Sequence, residues 1–372
     1  VEKAIELSPE GEPRVYSMYS AYLQLTNRTD DALVQIEKAI ELAPDNVDFK
    51  KEKAILLAKV KRVDEARALF DEAVKDAPND LSLQIDKAQF LTTIDDYEGA
   101  LALYTKLANK YDGPGLYFLR GVVYCQMKEF EKALNDVNQA LRRDSNMLPA
   151  IRLKGAIYLQ TEKYDDAIKA YEQLKRKSNE EAVKVEATTQ IAFAFSKKGY
   201  YKRASSMLDA ELEKDPQNAD VLRTYGDIEL FYGHWQEAAK RYEQLLEVVP
   251  KDSGFLNNYS WLLGTCPEDS IRNGDRALEC ALLACEETQY SAPHILSTLA
   301  AAYAEKGDFE NARKWSQKAV ELGEEEKNDS LDSLRKELES YKVDQPWRET
   351  SEIITPVEEE ESAPSEGESS ES

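Results

Sequence analysis

Small residues return at a fixed place along this chain, roughly every 34 positions, and large apolar residues return with them. Ala32, Ala66, Ala100, Ala133, Ala167, Ala204, Ala238, Ala277 and Ala312 are separated by 34, 34, 33, 34, 37, 34, 39 and 35 residues. Residues 13–46 show the unit, PRVYSMYSAYLQLTNRTDDALVQIEKAIELAPDN. Tyr16, Tyr19 and Leu23 fall on one face of a first helix, where Ser20 is small enough to admit a second helix. Ala32, Ile36 and Ala39 then recur at i, i+4, i+7 on that second helix. Asn27–Asp30 forms the turn, and Pro44 ends the pair because proline cannot extend a helix interior. A period of this length predicts stacked helical hairpins, each burying its apolar face only against its neighbours.

The pattern continues down the chain. Residues 47–80 carry Ala54, Leu57, Ala66, Phe70, Ala73 and Pro78. Residues 114–147 carry Tyr117, Gly121, Tyr124, Ala133, Val137 and Ala140, and residues 219–252 carry Tyr225, Gly226, Ala238, Tyr242, Leu245 and Pro250. Together these residues resemble the tetratricopeptide repeat (TPR) family, whose units run large–small–aromatic on helix A, Ala–aromatic–Ala on helix B, then proline. The resemblance covers about 310 of the 372 residues. It implies an all-α fold, a right-handed α-solenoid or superhelix of antiparallel helix pairs with a C-terminal capping helix. On this division residues 1–12 are the second helix of a truncated repeat, 13–324 are nine units, 325–347 a capping helix and 348–372 a disordered acidic tail. VEKAIELSP at 1–9 nearly duplicates IEKAIELAP at 36–44, so more chain is expected before Val1. The last units, from LNNYSWLLGTCPEDSIRNGDRALECALLAC (256–285) onward, resemble the C-terminal repeats of bacterial multi-TPR proteins.

Departures from the pattern carry their own expectations. Three added residues near Glu181–Lys184 should lengthen a helix or a loop, and the extra stretch 266–276 should lengthen a turn. Glu229 falls where an apolar residue is usual, and Leu230 beside it is expected to take over the packing. Lys53 is expected to lay its stem along apolar surface with its ammonium in water. In DSLDSLRKELESYK (329–342), Leu331, Leu334, Leu338 and Tyr341 make one apolar stripe. Asp332, Arg335, Lys336, Glu337 and Glu339 are assigned to the wet side, and Asp329 or Ser330 to the N-cap. Trp347 is expected to fold back onto this cap.

Charge narrows the function classes. The net charge is −23, of which residues 348–372 hold −8, leaving −15 on the rest. An acidic surface repels phosphate backbones, which argues against nucleic-acid binding. No apolar run approaches the ~18 residues of a membrane span. The location expected by default is cytoplasmic, with a cell-envelope or exported form if a signal precedes Val1. Cys125, Cys266, Cys280 and Cys285 read as reduced structural thiols. With His234 and His294 the only histidines and no CxxC pair, neither a metal site nor a cofactor is expected. No phosphate-binding, zinc-hydrolase, serine-hydrolase or calcium-loop motif is present, and both histidines read as surface or capping residues, so no enzyme is expected.

The family resemblance implies a binding face lined by the A helices. Carried over position by position, it points to Phe118 and Val122, then Arg152 and Leu159, then Phe193, then Arg223 and Asp227, and finally Trp261, with Cys125, Thr189, Leu230 and Asn257 beside them. Phe118 and Thr189 stand where some family members place lysines that clamp a peptide carboxylate, so that clamp is incomplete. The face is apolar and aromatic, punctuated by arginines, which suits a protein or peptide segment anchored on Phe193 and Trp261. The competing reading is that these residues pack between neighbouring A helices as core. Two functions follow: an interaction scaffold, or the docking arm of a larger protein whose activity lies upstream.

Overall fold

Local sequence accounts for where the helices begin and turn. The structure is a computed structural model that describes residues 12–349 and Pro356; the half-repeat expected at 1–9 and most of the acidic tail lie outside the described residues. The described residues form 19 helices and no strand. They are α1 (Pro13–Leu25), α2 (Thr29–Leu42), α3 (Val47–Lys59), α4 (Val63–Asp76), α5 (Leu81–Thr93), α6 (Tyr97–Tyr111), α7 (Pro114–Gln126), α8 (Phe130–Arg143) and α9 (Leu148–Gln160). There follow α10 (Tyr164–Lys177), α11 (Glu181–Lys197), α12 (Tyr201–Lys214), α13 (Ala219–Phe231), α14 (Trp235–Val248), α15 (Ser253–Thr265), α16 (Gly274–Glu287), α17 (Pro293–Glu305), α18 (Phe309–Glu325) and α19 (Leu331–Lys342). Odd-numbered helices up to α17 are the A helices and even-numbered ones the B helices; α19 follows the last pair.

Seven of the nine A helices start on a side-chain cap or on proline. Asn46, Asp80, Asn218 and Asp252 accept hydrogen bonds from the first-turn amides of α3, α5, α13 and α15. Proline opens α1, α7 and α17. Between A and B the chain passes through one left-handed residue: Asn27, Lys61, Asp95, Lys128, Glu162, Gly199, Gly233 or Gly307, with φ from 56° to 91°. Helix B begins two residues later each time, so this single torsion sets the hairpin angle. The eighth pair turns instead through residues 266–273, the lengthened loop expected from the sequence.

The helices gather into two compact units, Val1–Ile157 and Tyr158–Ser372, with the division inside α9. In the first unit the core runs through Leu23, Ile36, Leu57, Phe70 and Tyr104, each no more than 1% exposed. In the second it runs through Tyr242, Leu245, Phe255, Leu256 and Leu299. All nine recurring alanines are at 0% exposure. They sit where helices cross, and a larger side chain there would overpack by about 1–3 kcal/mol. Gly226 shows the same constraint at its limit: a Cβ there would lie 2.8 Å from the Tyr242 ring.

Three expectations are corrected or sharpened. The residues added near 181 extend a helix, making α11 17 residues long. Glu229 is not displaced by Leu230; it is itself 2% exposed, and Leu230 is half-buried. The reason is a set of polar partners: Tyr201 Oη donates to its carboxylate at 2.8 Å, and His234 Nδ1 lies 2.6 Å from it. Glu337, assigned to the wet side of α19, is 5% exposed. Positions 334, 337, 338 and 341 share one helical face, so burying Leu334, Leu338 and Tyr341 buries Glu337 too. Lys53 does reach solvent, pairing with Glu37 at 2.9 Å. Trp347 packs beside Tyr303, Phe309 and Trp315 around buried Tyr341, as expected. All four cysteines are free thiols.

Candidate binding face

The residues carried over from the family pattern stand on A helices, and all eight are half-buried. Phe118 and Val122 lie on α7 and Arg152 on α9, in the first unit. Leu159, Phe193, Arg223, Asp227 and Trp261 lie on α9, α11, α13 and α15, in the second.

Within the second unit their partners are specific. Arg223 Nη2 lies 2.7 Å from Asp252 Oδ2, tying α13 to the residue that caps α15. Asp227 accepts from Tyr242 Oη at 2.5 Å and from Asn258 Nδ2 at 3.2 Å, and burial pushes its pKa up. Both side chains therefore fasten successive helices together. Phe193 lies under the Lys197 ammonium, 5.4 Å from the ring centroid, and the same ammonium sits 3.5 Å from the Phe231 ring. Burial lowers the Lys197 pKa, and two aromatic rings flank its ammonium.

Trp261 is engaged by the chain itself. Its indole Nε1 donates to Glu349 at 2.9 Å, while Glu349 N donates to Thr265 O at 2.9 Å. Arg348 pairs with Glu305 at 2.7 Å and donates to Gly264 O at 3.3 Å. The first two residues assigned to the acidic tail are thus fastened across the C-terminal end of α15. The remainder of that tail, apart from Pro356, lies outside the described residues.

Two cavities open on A helices. In the second unit one of about 300 Å³ is bounded by Asn257 and Trp261 of α15, His294, Ser297 and Thr298 of α17 and Glu337 of α19. Thr298 donates to Asn257 at 2.7 Å, and the Ser297 hydroxyl donates to the Glu337 carboxylate. Burial pushes the Glu337 pKa up to about 7; Ser297 lowers it and the neighbouring Glu349 charge raises it further. In the first unit a cavity of about 380 Å³ lies against Ile55, Lys59, Asp86, Gln89, Phe90 and Ile94 on and beside α3 and α5.

Sequence reasoning located Trp261 and Asn257 but missed Glu337 and the whole of the first-unit cavity. Glu337 was legible in principle from its place on the 334–338–341 stripe. The first-unit cavity was not, because Ile55 and Phe90 occupy ordinary helix A positions. Tyr201, Glu229 and His234 form a linked phenol–carboxylate–imidazole group that joins α12 to α13 and the turn that follows. Among the described residues no group of three or more His, Cys, Asp or Glu is placed to hold a metal ion. No described helix is long and apolar enough to cross a membrane.

Comparison with known proteins supports the same architecture. The tetratricopeptide repeat profile matches residues 23–89, and a second profile of that description matches 293–324. The profile described as anaphase-promoting complex, cyclosome, subunit 3, matches residues 93–174. The BBSome complex member BBS4 of Bos taurus is 27% identical over 146 residues, which is 39% of this chain and 27% of that protein. The match thus spans about a quarter of the relative's length. The crystal structure of yeast Tom70 superposes with a TM-score of 0.59 at 15% identity, covering 92% of this chain and 91% of that one, a likeness of fold.

Proposed function

The chain belongs to the tetratricopeptide repeat family, and from that premise we propose that it is a protein-interaction scaffold that takes partner segments on its A-helix faces. Phe118, Val122 and Arg152 would contribute in the first unit; Leu159, Phe193, Arg223, Asp227 and Trp261 in the second. The observation that carries this reading is the cavity of about 300 Å³ beside Trp261, a concave space that the chain's own side chains leave open between α15, α17 and α19. Aromatic side chains at the edge of such a space supply most of the binding energy when a partner buries them. Arg223 and Asp227 hold α13 against its neighbours and so fix the spacing between the anchors on α11 and α15.

The similarity to a BBSome complex member favours a second form of the same idea, in which the repeats are the docking arm of a larger protein or assembly. The test is capture of partners by the full chain, comparing wild type with the Phe193→Ala/Trp261→Ala pair. The expected result is loss of at least about 90% of the recovered partner, from two hot-spot truncations of about 2 kcal/mol each. Undiminished recovery by a variant of unchanged helicity rejects the groove assignment.

A further inference from the structure

We infer that the cavity bounded by Trp261 and Glu337 takes a lysine or arginine side chain presented by a basic segment of a partner protein. The inference rests on the groove reading above and names the chemistry of what the groove accepts.

The first argument is charge. Glu337 is 95% buried in the wall of a cavity that opens on the A-helix side. Its described hydrogen-bond donor is the Ser297 hydroxyl, and the other carboxylate acting on it, Glu349, has the same sign. The remaining walls include no lysine or arginine. An incoming anion would meet two carboxylates. An apolar guest would strip the last water from a carboxyl group and give nothing in return. A guest cation supplies the missing opposite charge where screening by salt is weak.

The second argument is shape and surroundings. A space of about 300 Å³ accommodates one long side chain rather than a folded surface. Trp261 lines the space, and an indole is the preferred aromatic partner of ammonium and guanidinium groups. Asn257 and Thr298, already joined to each other, line the same space with polar atoms. The cation then sits between a carboxylate and an indole, and the burial that works against ionisation of Glu337 in the empty cavity is offset by the guest.

The test measures binding of a labelled peptide of alternating glycine and lysine to the full chain, by fluorescence anisotropy at near-physiological salt. The Glu337→Gln variant should weaken binding about tenfold. Glu279→Gln, on an exposed part of α16, should change it less than about twofold. Besides Glu337, the ionisable groups around this space are His294 on its wall, Glu349, whose charge acts on Glu337, and Tyr341 and Arg348 behind them. In a His294→Gln background, affinity should therefore rise about tenfold between about pH 6 and about pH 8 as Glu337 gives up its proton. This second readout needs no change at Glu337. Equal losses from Glu337→Gln and Glu279→Gln, or a flat pH profile, overturn the assignment. Saturable binding of n-butylamine without binding of the peptide overturns the partner segment in favour of a small-amine site. If Phe193→Ala/Trp261→Ala leaves partner capture intact, the groove reading itself falls. If that variant loses its partners while Glu337→Gln still binds the lysine peptide normally, only the cation assignment falls.

Discussion

In the first unit Asp136 is 1% exposed, and Arg120 grips it through two bonds of 2.6 and 2.7 Å. Lys50, 6% exposed, meets Glu72 at 2.8 Å and Asp76 at 2.6 Å, and those bonds raise its pKa. In the second unit three interior carboxylates are held differently. Asp227 is bonded by a tyrosine and an asparagine, Glu229 by a tyrosine beside a histidine, and Glu337 by a serine. Opposite charge meets the buried Asp136 and Lys50 of the first unit, and in the second it meets Glu211, which Lys214 approaches to 2.9 Å, while Asp227, Glu229 and Glu337 are solvated by neutral donors and an imidazole. The first arrangement favours the charged form of its cations, raising the pKa of both Lys50 and Arg120. In the second, burial pushes the pKa of Asp227 up and that of Glu337 up to about 7, and beside Glu337 a cavity remains. The same backbone hairpin supports both, so the distinction lies in the side chains between helices.

The contrast is most severely tested at Arg120. Replacing Arg120→Met strands the Asp136 charge in the first unit, and stability should fall by about 3–5 kcal/mol, read from urea unfolding followed by circular dichroism. Adding Asp136→Asn should restore most of it. A loss under about 1 kcal/mol would mean that the pair is no stronger than an exposed salt bridge.

Glu337 supplies the next largest effect and the opposite sign. Its folded pKa of about 7 lies above the ordinary 4.5, so between those values the folded protein holds a proton that the unfolded chain releases. The contribution is therefore fully present below about pH 4.5 and is lost as pH rises through about 7. Glu337→Gln removes this dependence. Relative to wild type it should add about 3 kcal/mol at pH 8 and almost nothing at pH 4.5. Urea midpoints of the two proteins that stay parallel across this range would show that Glu337 ionises in the folded state as it does in water.

The smallest effect concerns what the two units share. Lys61, Lys128 and Glu162 occupy the left-handed turn position that Gly199, Gly233 and Gly307 fill elsewhere. Substituting glycine at each should raise stability by about 0.5 kcal/mol in either unit, measured as a shift in the thermal midpoint. A gain confined to one unit would show that the turns, too, differ between them.

Much of this fold was legible because a hairpin stack is specified locally. The recurring alanines could be read as helix crossings, since only a small residue at that phase lets two helices touch. The added length near 181 and the lengthened eighth turn followed from counting inserted residues, while only the structure showed that the former extends a helix. Arg223, Asp227 and Trp261 were legible as positions on the A-helix face, but their partners were not. Asp252, Tyr242, Asn258 and Glu349 lie 29, 15, 31 and 88 residues away, and no local pattern announces such pairs. Glu229 and Glu337 were misjudged for one reason: composition says that a carboxylate belongs in water, and only a neighbouring element can supply the donors that let it stay inside.

The sequence by itself determined the helical period, the place of each small residue and the point at which each hairpin turns, because these depend on contacts within about one repeat. Tertiary structure decided which charges are neutralised, which are merely solvated, and where a cavity remains between A helices. Those outcomes are set by distances between side chains on separate helices, and a charge's free energy depends on what surrounds it rather than on where it stands in the chain.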